Sequence, residues 1–127
     1  MVAVPLPTEN VEAIRLAGEI RRHQGKWPAL RNWTPFPAQG GAMGAARGRR
    51  MAAEGLTRGF PDSVLFYPAG GFHGLCIELK RKRFSPSDVE PPQLAWHERL
   101  RAAGYRVEVC GGWEAAWSVI CENLEIA

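Results

Sequence analysis

The sequence predicts a single α/β domain, a small central mixed β-sheet flanked by helices. Three observations carry that prediction. Apolar residues recur at helical spacing over residues 9–23, 91–103 and 112–124. Two apolar runs, 63–67 and 73–80, stand on either side of a Gly-Gly turn and read as a hairpin. A strand–helix–strand passage then runs from 73 to 109, long enough for a parallel crossover. The 127 residues suffice for one hydrophobic core, so residues 1–127 read as one domain, with no internal repeat.

The first helix is expected over Glu9–His23. Thr8 suits its N-cap, and Glu9 falls in the first turn, where the helix dipole favours an acid. Val11, Ile14, Leu16, Ala17 and Ile20 supply its apolar stripe. Residues 25–45 are the least regular: prolines at 28, 35 and 37 and glycines at 40, 41 and 44 break them up. A short strand fits around Arg31–Phe36, and Gly40-Gly41 reads as a turn. Ala45–Gly55 reads as a short helix stopped by its glycine. Ser63–Tyr67 is apolar on both faces, the pattern of a buried strand.

In the run 73–80, Leu75, Ile77 and Leu79 share one face, and Cys76, Glu78 and Lys80 the other. A helix follows within 86–103, most securely from Pro91 or Pro92, since proline suits a first turn. Its stripe is Gln93, Trp96, Leu100 and Ala103, and Gly104 ends it. Tyr105, Val107 and Val109 alternate as a strand. Trp113, Trp117, Ile120, Cys121 and Leu124 line a last helix.

Composition narrows the function. With 46% apolar and 23% charged residues the chain is globular rather than disordered. It contains no apolar stretch near the ~18 residues of a membrane span. The opening MVAVPLPTEN lacks the basic and apolar regions of a signal peptide. Cys76, Cys110 and Cys121 have no metal-type spacing and read as reduced thiols, which places the protein in the cytoplasm. The net charge of +3 is unevenly spread. Residues 21–50 hold seven basic residues and no acid, Lys80–Arg83 is a second basic block, and no basic residue follows Arg106. Such asymmetry suits an anionic partner. Arg47, Arg49 and Arg50 are the candidates for contacting phosphate.

Asp62 and Glu78 carry the candidate chemistry. Asp62 stands at the mouth of the 63–67 strand, and Glu78 lies within the neighbouring one. A hairpin brings the start of one strand to the end of the other, and so Asp62 to Glu78 and Lys80. Two carboxylates with the Leu79 carbonyl form a hard-oxygen site suited to Mg²⁺ or Mn²⁺. Such an ion activates water and stabilises charge on phosphate. Lys80 is then placed to position that water or take its proton. A Glu-x-Lys pair on a strand is ordinarily a solvated ion pair worth about 0–1 kcal/mol. Here the strand is expected to be central and covered on both faces, which leaves no solvated side for two charges. Gln93, on the core-facing stripe of the covering helix, is the natural partner for a polar site beneath it.

Gly59-Phe-Pro-Asp62, Ile77-Glu-Leu-Lys80 and Gln93 together resemble the PD-(D/E)xK nuclease motif, and the VRR-NUC branch in particular. The similarity runs from Glu9 to about Leu124. It includes Met51-Ala-Ala-Glu-Gly55, Gly71-Phe-His-Gly-Leu75, Gln93-x-x-Trp96-x-x-x-Leu100-x-x-x-Gly104-Tyr105 and Val109-Cys110-x-x-Trp113-Glu114-x-Ala116. The resemblance implies a restriction-endonuclease-like fold and a Mg²⁺- or Mn²⁺-dependent endonuclease acting on DNA. It further implies branched or Holliday-junction DNA as substrate, a role in repair or recombination, a homodimer, and a bacterial or phage origin. By the same resemblance Glu9 is the helix-one acid, acting on the metal directly or through water, with Glu12 the alternative. The chain departs from the family in having no asparagine in Phe36–Gly41, no glutamine near Ala13, and an acidic pair, Asp88 and Glu90, before Gln93.

The remaining candidates read as structural. His73 is expected to be structural, and His23 and His97 to face solvent. Trp96, Trp113 and Trp117 fall on core stripes, whereas Trp27 and Trp33 suit DNA or dimer contacts. Two rival functions compete with a junction nuclease: a non-catalytic nucleic-acid-binding module of the same fold, and a duplex-nicking or restriction-type nuclease. The intact acids and Lys80 speak against the first. The second needs the same metal site.

Overall fold

The computed structural model describes residues 4–36 and 45–126. The expected turn at Gly40-Gly41, and most of the loop before it, lie outside the described residues. In chain order the elements are α1 (Glu9–His23), a 3-10 turn (Pro28–Asn32), β1 (Trp33–Pro35), α2 (Ala45–Ala53), β2 (Ser63–Leu65) and β3 (Leu75–Lys80). A second 3-10 turn (Pro86–Asp88), α3 (Pro91–Ala102), β4 (Arg106–Gly111) and α4 (Trp113–Leu124) complete them.

The sheet has the order β1-β2-β3-β4. β2 pairs antiparallel with both β1 and β3, and β3 pairs parallel with β4. The hairpin and the crossover are therefore both present, and the α/β class with a mixed sheet stands. β3 lies inside the sheet and all six of its residues are buried. Its period-two alternation divides the core. Leu75, Ile77 and Leu79 join Leu16 and Ile20 of α1 and Ala116 and Ile120 of α4 on one face. Cys76 joins Val64, Val107 and Leu100 of α3 on the other. Burying each Leu or Ile side chain contributes about 1.5–3 kcal/mol, so the first face dominates the fold's stability.

Two sequence expectations need correction here. In α1 the buried positions are Glu12, Leu16 and Ile20, spaced i, i+4, i+8, while Val11 and Ile14 are 37% and 63% exposed. Period alone sets an amphipathic stripe's width, and the neighbours decide its centre. β2 also stops at Leu65, two residues short of expectation, and Phe66 and Tyr67 are exposed. The Phe66 N–H still donates to the Asn32 carbonyl at 3.0 Å, but Tyr67 N–H turns back to the Leu65 carbonyl. Pro68 then prevents the strand from resuming.

The helix ends follow the sequence signals. Thr8 Oγ1 accepts from Val11 N–H at 3.3 Å. α3 stops at Gly104, whose φ of +93° few other residues tolerate. Trp27 and Trp33 pack partly buried against the core. His23, expected in solvent, is half-buried and lies 4.8 Å from Trp117, ring centre to ring centre.

Candidate active site

Strand register assembles the centre of the site. Ser63 pairs with Ile77, which sets Asp62, one residue before β2, beside Glu78. Asp62 Oδ2 accepts a hydrogen bond from Leu79 N–H at 2.6 Å, and its carboxyl contacts that of Glu78. Glu78 is 1% exposed. Burial first, and the neighbouring Glu78 second, push Asp62 up to about 8, against the opposing pull of the Leu79 N–H and Lys80. Burial also raises Glu78, with Glu9 adding to it and with Asp62 and Lys80 opposing. The two acids thus act as one coupled unit that retains a proton near neutral pH.

The Leu79 carbonyl belongs to the same corner. Lys80 C=O faces β4, where it accepts from Gly112 N–H at 2.8 Å. Backbone groups alternate along a strand, so the N–H and C=O of Leu79 face the Asp62 side. An apolar cavity of about 280 Å³, walled by Ile14, Leu16 and Trp33, reaches Asp62 and Leu79.

Lys80 leaves β3 on the same face as Glu78 and is buried. Its Nζ donates to Gln93 Oε1 at 3.2 Å. That oxygen also accepts from Glu90 N–H at 2.9 Å, so Gln93 caps α3 and holds Lys80 at once. Gly59 makes this packing possible. A Cβ there, at φ +95°, would lie 2.4 Å from the Pro92 carbonyl and 2.7 Å from Gln93 N. No residue larger than glycine fits without moving the start of α3.

Glu9 is exposed, and with Lys80, Arg81, Phe84, Asp88 and Glu90 it lines a cleft of about 300 Å³. Glu12 has a different place. It is fully buried, and Oε1 accepts from Trp113 N–H at 3.2 Å, holding the N-terminus of α4. Of the two acids considered for helix one, Glu9 is the one that opens on the Lys80 cleft. Among the described residues, no three of His, Cys, Asp and Glu gather closely enough to hold an ion by side chains alone. The donor set is instead the half-buried Asp62 carboxylate, the buried Glu78 carboxylate and the Leu79 carbonyl. Mg²⁺ accepts such a set, since it binds through one or two carboxylates and keeps several waters.

Arg47, Arg49 and Arg50 are exposed on α2, a helix without a buried residue. Arg50 pairs with Glu54 at 3.1 Å. In the second basic block, Lys82 pairs with Glu114 at 2.8 Å.

His97 was missed by the sequence reading. Instead of facing solvent it is 1% exposed, and its Nε2 lies 3.3 Å from Glu78 Oε1. The signal was available, because His97 is four residues after Gln93 and one after Trp96, on the same helical stripe.

Comparison with known proteins gives the arrangement its family. The model of the VRR-NUC domain family matches residues 15–114. The chain belongs to the VRR-NUC family. Its structure is similar to a solved VRR-NUC domain protein, with a TM-score of 0.77 and 27% identity over 97% of this chain and 93% of that one. No curated protein matches the sequence. VRR-NUC is a nuclease-family domain, so the function is of the nuclease type and DNA is its substrate class. The family match takes in Asp62, Glu78, Lys80, Gln93 and His97 and begins after Glu9 and Glu12.

Proposed function

We propose that this VRR-NUC domain is a metal-dependent endonuclease that hydrolyses DNA phosphodiesters, with branched DNA as its preferred substrate. The observation that supports the reading is the contact of half-buried Asp62 with buried Glu78, with Lys80 on the same face of β3 as Glu78. A central strand keeps two ionisable groups, Glu78 and Lys80, out of water only where they have work to do or partners to hold them.

In this reading Asp62, Glu78 and the Leu79 carbonyl would hold Mg²⁺ or Mn²⁺, with Glu9 acting on the ion directly or through water. Bound there, the ion would lower the pKa of water and stabilise charge on the scissile phosphate. Gln93 fixes the Lys80 ammonium by one of its three donors, and the other two would orient the attacking water and a phosphate oxygen. Arg47, Arg49 and Arg50 draw in the DNA backbone. The protein acts as a homodimer, so that two sites meet the two strands of a junction.

End-labelled four-way junction, flap, plain duplex and single strand, each with Mg²⁺, Mn²⁺ or chelator, test the reading. Metal-dependent cuts in the junction ahead of the duplex are expected. Lys80→Ala should abolish cleavage while leaving metal binding and the melting temperature close to wild type. Equal cutting of junction and duplex would replace branch selectivity with duplex nicking. Cleavage that survives both chelator and Lys80→Ala would overturn the proposed site.

A further inference from the structure

We infer that His97 is a positioning residue, which donates a hydrogen bond from Nε2 to Glu78 Oε1 and so leaves the other Glu78 oxygen to a divalent cation. The inference rests on the metal-dependent reading above, and it gives a role to the one histidine buried among the acids.

The geometry is specific. Both side chains are 2% exposed, so water cannot replace either partner. A carboxylate oxygen offers only lone pairs, so the proton between His97 Nε2 and Glu78 Oε1 comes from the imidazole. Glu78 has few other ways to be held. In the metal-free protein the proton on Asp62 also ties it to Glu78, but once an ion takes that proton's place the Asp62 carboxylate has no donor to offer, and its one N–H contact is that of Leu79. Lys80 is turned to Gln93. Without His97 nothing but the incoming ion would fix the Glu78 carboxylate about its last side-chain torsion, a broad and soft degree of freedom, once the proton shared with Asp62 is gone. A metal ligand that rotates must be ordered when the ion binds, at a cost in affinity. Outer partners of this kind typically change metal affinity by about 10–100-fold when removed.

Position in the fold strengthens the case. His97 is on α3, one turn after Gln93. A single helix face therefore holds both reactive side chains of β3, Lys80 through Gln93 and Glu78 through His97. Gly59, pressed against Pro92 and Gln93, sets the height of that face above the strand.

Mn²⁺ binding to the DNA-free protein, measured by calorimetry and by electron paramagnetic resonance, separates positioning from packing. His97→Met keeps an apolar body and loses the donor. His97→Asn keeps an amide but cannot reach Glu78. His97→Gln places an N–H at about the reach of Nε2. The expected result is a loss of about 10–100-fold in Mn²⁺ affinity for the Met and Asn variants, with near wild-type binding restored by Gln. Thermal melts in chelator identify folded variants, and two loss variants guard against one failing to fold. A folded Met or Asn variant that binds Mn²⁺ like wild type would overturn the role, as would a folded Gln variant as weak as Met. Wild type that neither binds Mn²⁺ nor cuts DNA would overturn the nuclease reading, and this inference with it.

Discussion

Asp62→Asn should make the metal-free protein more resistant to alkaline pH. The folded Asp62 titrates near 8, against an ordinary value of 3.8, chiefly because it is buried and secondly because Glu78 adjoins it. Between those values the folded chain holds a proton that the unfolded chain has released. Stability from this group is fully present below 3.8 and is lost as pH rises through about 8. The loss approaches about 1.4 kcal/mol per pH unit within the window.

His97 works in the opposite sense. Burial lowers its pKa from 6.5, so its contribution grows with pH and is complete above that value. The clean window for Asp62 is therefore 6.5 to about 8. Asparagine keeps the shape, accepts from Leu79 N–H and cannot ionise. Coupling to Glu78 dilutes the effect, so the stability gap between variant and wild type should widen by about 1–2 kcal/mol across that window. Urea melts in chelator at the two ends of the window measure it. With excess Mg²⁺ the order should reverse, because an ion that replaces the proton stabilises wild type alone. A gap that stays constant with pH in chelator would refute the reasoning, since Asp62 would then be ionised in the metal-free fold.

Replacing Arg47, Arg49 and Arg50 together by alanine should weaken DNA binding and reduce the magnitude of the log–log salt slope by up to about 3, one phosphate contact each; an unchanged slope in titrations at several salt concentrations would move the DNA surface elsewhere. Gly59→Ala should cost about 1–3 kcal/mol in a urea melt from its positive φ alone. It should also slow cleavage by displacing Gln93 from Lys80, and normal stability with normal turnover would contradict the 2.4 Å approach to Pro92.

Much of this architecture was legible because it rests on periods and punctuation. The alternation of Leu75, Ile77 and Leu79 against Cys76, Glu78 and Lys80 assigned the two faces of β3, and the hairpin then implied the meeting of Asp62 with Glu78. Thr8, Gly55 and Gly104 marked helix ends by chemistry that acts within a few residues. What sequence could not supply was the angle at which a stripe meets its neighbours. Glu12, the alternative helix-one acid, instead occupies a core position on α1, because the N-terminus of α4 lies opposite and supplies a donor. His97 was misplaced for the same reason: a polar residue on an apolar stripe is readable only once its partner, here Glu78, is in view. Phe66 and Tyr67 show the converse, apolar residues left exposed where the ladder ran out.

The contacts that build the site differ in kind from the contact that closes the fold. Asp62 with Leu79, Lys80 with Gln93 and Glu78 with His97 are separated by 17, 13 and 19 residues along the chain. Glu12 with Trp113 spans 101. Short loops close at little entropic cost, and chains rich in such contacts fold quickly. The reactive cluster is thus closed by short loops, whereas α1 and α4 must find each other across almost the whole chain. Glu12→Gln, which weakens that clasp, should lower the stability read in a urea melt without disturbing how β2, β3 and α3 arrange their acids and base.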